Sequence, residues 1–470
     1  NQEYGFDIIT YIGESYLQKH NSLPEIHKTL KKEFGINICE KTVINLYHSY
    51  LALCNCIDAD KKRLQEKLIK QGGIILEVDG VQFDDRNPVL YILKDIISGE
   101  ILYGKRTILR GQNDLIPILE KVKELDIPIL AIVTDKEQGL VPAIKKVFPD
   151  VPYQWCQYHY LKNLAIPIEE DLKELGEEIR NVVSDLKKLR KKTIKLRTKV
   201  VNCAELRDPT LKEIDLTFDL CDKAIAACKT TGRPPLEPSA YKRYELLSKV
   251  YETVLVALQK TGGPWPLLEE LRKILSFLDN LQRLQSRIWE RLSILRKFAH
   301  IFKIQSDSRQ VKRRFRTVLN QIQSPSYWDR PYMKEFVNHV IALTENYWDG
   351  LFPCYDHPLI PKTSGEIERE FGSAKRDIRK TTGRKSTAGE VMESFAEFIF
   401  KAKSLLKNVQ DLADRITDVS YENYKKSMKI IKDLKKDVYL RRSFLRKPAS
   451  YLENKLESWL GREEIIYVID

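Results

Sequence analysis

The sequence predicts an α/β core with a mixed five-stranded sheet, which a large all-α insertion interrupts and which helices flank at both ends. Three observations predict this architecture: short β-rich runs between residues 72 and 159, long helical patterns between 160 and 350, and helical patterns in both terminal regions. The predicted parts are a helical helix-turn-helix region (1–70), the first part of the core (71–165), the all-α insertion (166–355), the second part of the core (356–405) and a C-terminal helical region (406–470).

Composition limits the classes of protein that this chain can be. Its 470 residues exceed one ordinary core, and 43% of them are hydrophobic. No apolar run reaches the roughly 18 residues that cross a membrane, and eight scattered cysteines are too few for a disulfide framework, which points to a reducing compartment. Lys and Arg outnumber Asp and Glu by 79 to 66, a net charge of +13 that favours polyanionic partners.

A helix-turn-helix is predicted near the start of the chain. Ser22 and Glu25 form a capping-box pattern with a proline between them, Gly35 ends this helix, and another helix starts near Glu40. Two helices joined by a short Gly-containing turn match a DNA-binding motif, although a plain three-helix bundle fits the same pattern. In the first interpretation, the second helix presents four side chains to a groove: Lys41, Thr42, Asn45 and His48.

The central region predicts five strands. Three β-rich runs between residues 72 and 110, separated by turns, indicate an antiparallel meander. A helix then precedes the near-continuous apolar run 127–135, which is typical of a strand buried on both faces. Another helix and a fifth strand over 151–159 follow. The order βββαβαβ is that of the RNase H-like fold.

Two aspartates stand where this fold would bring them together. Asp79 lies inside the apolar first strand and Asp135 ends the fourth, its neighbour in such a sheet. Taken singly, each also fits a capped turn or a strand end. Together they would repel each other, and a divalent cation would remove this conflict. Because Mg²⁺ prefers carboxylate oxygens and a pair of such ions can drive displacement at phosphorus, the pattern predicts phosphodiester chemistry.

Four segments resemble the DDE transposases of the Mutator-like superfamily, including its bacterial insertion-sequence members. They are EVDG (77–80), VTDKEQGL (133–140), WCQYHYLKN (155–163) and TSGEIEREFGSAKRDIRKTTGRK (363–385). The resemblance implies an RNase H-like core with an acidic triad. The family's third acid follows a Thr-Asn-Asn-x-x-Glu pattern, which selects Glu368. Ser364 and Gly365 replace the two asparagines, so Glu366 and Glu370, which share another helix face, remain rival ligands.

The same resemblance includes a Cys-x-x-His element, Cys156 and His159. It implies that both residues shape the edge of the active site and that His159 contacts the scissile phosphate or the attacking water. A packed cysteine and a satisfied histidine on the fifth strand fit the same residues. Structural zinc is not expected, because such a site needs four ligands and no suitably spaced second pair follows.

Basic residues follow the third acid in quick succession and are expected to contact the DNA backbone. They are Lys375, Arg376, Arg379, Lys380, Arg384 and Lys385. A second basic run, KKLRKK at 187–192, fits a solvated helix face.

The resemblance implies a DNA transposase that binds terminal inverted repeats of a mobile element. Two Mg²⁺ or Mn²⁺ ions would be held by Asp79, Asp135 and Glu368. The enzyme would cut the element's ends and join the freed 3′-OH to target DNA. A homodimer or larger assembly on double-stranded DNA, in the cytoplasm of a prokaryotic host and without membrane contact, is expected. The alternatives are a domesticated, cleavage-inactive DNA-binding protein and an RNase H-like metal-dependent nuclease without strand transfer.

Overall fold

The computed structural model describes residues 4–57, 61–81, 89–107, 109–201, 208–261, 265–382, 390–408 and 412–460. The chain divides into two compact units, a sheet unit (1–154 and 360–470) and a helical unit (155–359). Within the described ranges, every helix is too short or too polar to cross a membrane.

The chain begins with helices α1 (Phe6–Leu17), α2 (Leu23–Glu33), α3 (Glu40–Cys56) and α4 (Lys61–Lys70). Helix α2 starts at the predicted capping box: Glu25 N donates to Ser22 Oγ at 3.4 Å, and Ser22 N donates to the Glu25 carboxylate at 2.7 Å. Gly35 takes a φ of +67°, the left-handed conformation that ends a helix at low cost when the residue is glycine.

The middle of the sheet unit is a mixed five-stranded sheet, as the sequence predicts. Its elements are β1 (Ile74–Val81), β2 (Val89–Asp95), β3 (Ile101–Thr107), α5 (Gln112–Lys123), β4 (Ile129–Thr134), α6 (Leu140–Val147) and β5 (Tyr153–Trp155). The strand order is β3-β2-β1-β4-β5, in which β1 to β3 form an antiparallel meander and β4 pairs parallel to β1. The observed succession is therefore βββαβαβ.

The helical unit follows. Its helices are α7 (Gln157–Leu164), α8 (Glu169–Asn181), α9 (Val183–Val201), α10 (Asp208–Lys229), α11 (Ser239–Thr261), α12 (Pro266–Leu275), α13 (Phe277–Asn280), α14 (Gln282–Phe302), α15 (Ser308–Ile322), α16 (Pro325–Trp328), α17 (Pro331–Tyr347) and α18 (Pro353–Asp356). Short 3-10 turns lie at Ile166–Ile168 and Trp348–Gly350. Buried rings of Tyr160, Phe298 and Phe315 pack against one another, so an aromatic core holds α7, α14 and α15 together.

The chain then returns to the sheet unit. The last helices are α19 (Glu366–Thr382), α20 (Glu390–Asn408), α21 (Leu412–Thr417), α22 (Tyr421–Arg446) and α23 (Pro448–Leu460). Buried residues of α20 and α22, such as Leu405 and Ile431, share one core with Tyr47 and Tyr50 of α3. Helices from the two ends of the chain thus share one core of the sheet unit.

The alternation of side chains along β1 decides which face each one reaches. Leu76 and Val78 point into an apolar core with α5 and α6. Glu77 and Asp79 point to the opposite face, where Ile367 and Phe371 of α19 pack on β2. Both acidic side chains of β1 therefore face the helix that carries Glu366, Glu368 and Glu370.

Candidate active site

The ends of β1 and β4 bring two aspartates together. Val78 and Thr134 are the last paired residues of these parallel strands, and Thr134 Oγ1 donates to Val78 O at 2.8 Å. Asp79 and Asp135 are the next residues along the two strands. Because parallel neighbours run in the same direction, the two carboxylates leave the sheet at the same edge.

Asp79 occupies a buried position in which ionisation is unfavourable. Its side chain is 8% exposed, and Gly80 N donates to its Oδ1 at 2.8 Å. Burial, followed by the negative charges of Asp135 and Glu368, raises the pKa of Asp79 to about 8. The charges of Asp135 and Glu368 both act on Asp79, so these two acids lie within electrostatic range of it.

The segment before α19 contacts Asp135 directly. Ser364 is buried, and its Oγ donates to Asp135 Oδ1 at 3.2 Å. Two residues later α19 begins, and Glu368 lies exposed in its first turn. The serine that replaces an asparagine of the family pattern therefore supplies a hydrogen bond to one of the candidate ligands.

The rival acids of α19 have a different partner. Lys94 Nζ donates to Glu366 Oε2 and to Glu370 Oε1, each at 3.0 Å. Lys94 is only 4% exposed on β2. Burial alone would lower its pKa, but Glu370 and Glu366 outweigh burial, and the pKa of Lys94 is raised. Glu366 and Glu370, which are half-buried, thus form ion pairs with a buried ammonium group, on a helix face separate from Glu368.

Glu77 caps the same helix from the sheet. It is fully buried and lies opposite Lys94, and its Oε1 accepts from Glu366 N at 3.2 Å and from Ile367 N at 3.4 Å. Burial raises the pKa of Glu77 to about 7, although Ile367 N–H and Lys94 act in the opposite direction. Sequence reasoning missed Glu77, Lys94 and Ser364; the visible signal for the first two was a charged residue within an apolar strand.

Cys156 and His159 belong to the helical unit. The fifth strand ends at Trp155, so the prediction that it continues to His159 is wrong. Cys156 is buried as the N-cap of α7 and His159 lies half-buried on that helix. The hydrogen bonds of the α7 backbone replace those of a strand at this point. The roles implied for both residues stay predictions.

Two of the six basic residues predicted to contact the DNA backbone, Arg376 and Lys380, are exposed on α19. The other four lie outside the described part of the structure, either by their side chains (Lys375 and Arg379) or as whole residues (Arg384 and Lys385).

On α3, Lys41 and Asn45 are exposed and Thr42 is half-buried. His48, however, is only 6% exposed, and burial followed by Lys435 lowers its pKa to about 3. The expectation that His48 faces a groove is corrected because α22 covers this half of α3, as the hydrogen bond from Tyr424 to Ser49 shows.

The fold and site together define an acidic centre at the edge of a mixed α/β sheet. The family model "Transposase, Mutator family" matches residues 118–201, which include Asp135, Cys156 and His159. This match confirms the resemblance to Mutator-like transposases. The Drosophila P element transposase strand transfer complex is similar at 12% identity over 87% of this chain and 93% of that chain, with a TM-score of 0.34, a value that does not establish a common fold. No curated protein matches the chain.

Proposed function

We propose that the chain is a DNA transposase with an RNase H-like catalytic core. The family match, the βββαβαβ succession and the acidic centre support this proposal. The observation that carries it is the convergence of Asp79, Asp135 and Glu368, because the charges that act most strongly on Asp79 are those of carboxylates. A fold gains nothing from such repulsion unless a cation joins the group.

The chemistry of the three side chains suits Mg²⁺ or Mn²⁺. Each offers hard carboxylate oxygens. The charges of Asp135 and Glu368 add to burial in raising the pKa of Asp79 to about 8, and a bound cation would offset that repulsion. Asp79, Asp135 and Glu368 would hold two ions. When bound, such ions activate an attacking oxygen and stabilise a leaving oxygen at phosphorus.

The protein's own residues would orient these ligands. Gly80 N–H holds Asp79 and the Ser364 hydroxyl holds Asp135. Glu77 and Lys94 fix the first turns of α19 from the sheet, so that Glu368 is presented to the two aspartates while Glu366 and Glu370 are engaged elsewhere.

DNA would be bound by other parts of the chain. The exposed residues Lys41 and Asn45 on α3 would contact the terminal inverted repeats, and Arg376 and Lys380 would contact the backbone near the site. Strand transfer requires two DNA ends in one event, so at least a dimer on DNA is part of the proposal. The 3′-OH of each freed end would be joined to target DNA.

The test is a cleavage assay on DNA that carries the genomic sequences flanking the coding region, with Mg²⁺ or Mn²⁺. Asp135→Asn is expected to lower the cleavage rate by about 10³-fold or more, since metal-assisted catalysis contributes several kcal/mol. The matched control is Asp150→Asn, an exposed aspartate of the same unit, which should cleave like the wild type. Equal cleavage by wild type and Asp135→Asn contradicts the proposal, and a pre-cut end that never enters plasmid DNA reduces it to a nuclease.

A further inference from the structure

Helix α15 of the helical unit has a strongly basic outer surface. Its apolar residues Val311, Phe315 and Ile322 are fully buried, and Val318 and Leu319 are half-buried. The helix has no Asp or Glu, and its basic residues are Arg309, Lys312, Arg313, Arg314 and Arg316. The helix is therefore amphipathic in the usual sense, but its polar face carries charge of one sign only.

The arrangement of these cations forms a stripe. Arg309, Arg313 and Arg316 are spaced by four and three residues, so they lie on one face at successive turns over about 10 Å. These three arginines and the adjacent Arg314 are exposed, and among the described residues none of the four forms an ion pair with a carboxylate. Their charge is thus available to a partner.

The acids at the start of the helix already have partners. Asp307 Oδ1 accepts from Gln310 N at 2.9 Å, and Asp356 Oδ1 accepts from Ser308 N at 3.0 Å.

Two basic side chains of α15 pack on aromatic rings. Lys312 Nζ lies 5.5 Å from the centre of the Phe352 ring, and Arg316 Cζ lies 5.2 Å from that of the Trp348 ring. Cations packed on aromatic rings lose less side-chain freedom when they bind an anion.

The other basic run of this unit, KKLRKK, shows that such a surface is not general. On α9, Lys188 pairs with Asp185 at 2.9 Å and Arg190 with Asp222 at 2.8 Å, and Lys192 pairs with Glu270. The cations of α9 thus serve largely to join helices of the unit. Those of α15 lack such carboxylates among the residues described.

We propose that the stripe Arg309–Arg313–Arg316, with Arg314 beside it, is a second DNA-binding surface that contacts the phosphate backbone without reading sequence. The proposal rests on the proposed function. Guanidinium groups suit phosphate because their N–H groups match its oxygens in pairs. A lipid surface is the poorer partner, since the apolar face of α15 is enclosed in the protein core and has nothing to insert.

The experiment measures binding of the full chain to a 30-base-pair duplex of arbitrary sequence by fluorescence anisotropy, between 50 and 200 mM NaCl. The triple variant Arg309→Gln/Arg313→Gln/Arg314→Gln is expected to bind at least tenfold more weakly at the lowest salt. The slope of log K against log salt should fall by about 2 to 3, since each lost phosphate contact removes about 0.9.

Two further variants separate charge from other effects. Lys187→Gln/Lys188→Gln/Lys191→Gln removes the same charge from α9 and should change the affinity less than threefold. Arg309→Lys/Arg313→Lys/Arg314→Lys keeps the charge and should retain most of the affinity and the slope. Equal losses in the α9 and α15 variants, or a lysine variant as weak as the glutamine variant, overturn the proposal.

The same titration distinguishes this inference from the proposed function. If wild type and the glutamine variant bind the duplex equally well, only the proposal that α15 binds DNA is overturned. Wild type that shows no salt-dependent binding to any duplex, including one with the flanking sequences, contradicts the transposase proposal as well.

Discussion

Two groups of carboxylates lie on one face of the sheet, and their negative charge is compensated in two different ways. Glu77, Glu366 and Glu370 surround the buried ammonium of Lys94. Asp79, two residues beyond Glu77, meets Asp135 and Glu368 instead, and its pKa rises to about 8. The first group is neutralised inside the protein and holds α19 in place. The second group would be neutralised by ions from solution, which suits a site that acts on phosphate.

The largest expected effect is on the free energy of unfolding, when the ammonium group of Lys94 is removed from the carboxylates that surround it. Lys94→Met should destabilise the protein by about 3 kcal/mol, because it leaves two partly buried carboxylates without their ammonium. Urea unfolding measures this. Lys121→Met, which breaks an exposed pair with Glu124, should leave the free energy of unfolding nearly unchanged. Adding Glu366→Gln and Glu370→Gln to Lys94→Met should restore much of the stability; a triple variant no more stable than Lys94→Met contradicts the ion-pair explanation.

The second effect is a pH dependence of the acidic centre. The folded protein holds the Asp79 proton up to about pH 8, whereas the unfolded chain loses it near pH 4, at about its ordinary value. The folded state binds more protons in this window, so the stabilising contribution is complete below pH 4 and is lost as the pH rises to 8.

In EDTA, Asp79→Asn should therefore gain about 2 kcal/mol relative to wild type between pH 6 and pH 8. Unfolding curves at the two pH values measure the gain, and Asp150→Asn should show none. Added Mg²⁺ should stabilise wild type more than the variant. If the difference in stability between wild type and Asp79→Asn does not depend on pH or on Mg²⁺, the two groups of carboxylates do not differ as described.

A smaller effect is expected at the cap of α19. Glu77→Ala removes the acceptor for Glu366 N–H and Ile367 N–H and should cost about 1–2 kcal/mol, the usual value of a lost helix cap. Glu77→Gln keeps an acceptor oxygen and should cost less. If Glu77 positions Glu368, the alanine variant should also need more Mn²⁺ for half-maximal cleavage, a shift that glutamine largely rescues. Equal Mn²⁺ dependence in all three proteins would limit Glu77 to stability.

The smallest effect is at Ser364. Ser364→Ala removes one hydrogen bond to Asp135 and should lower cleavage about two- to tenfold, because such a bond is worth about 1 kcal/mol. The measurement is the cleavage rate at saturating Mn²⁺. A loss as large as that of Asp135→Asn would mean that Ser364 does more than orient this ligand.

Much of this architecture follows from the sequence alone, because local patterns determine it. The β-rich run of β1, the apolar run of β4 and the capping box at Ser22 predict elements that the structure contains. The five-stranded mixed sheet follows from the order of those elements. Once β1 is a strand, Glu77 and Asp79 must share a face, since the side-chain period of a strand is two.

Only the tertiary structure decides which charges meet. Glu366, Glu368 and Glu370 are alike in sequence, and Lys94, more than 270 residues away, separates them by pairing with the outer two. His48 is buried because α22, far along the chain, packs on α3. Periodicity predicts the face of a helix on which a side chain lies, but its electrostatic partner depends on long-range packing, which no local pattern encodes.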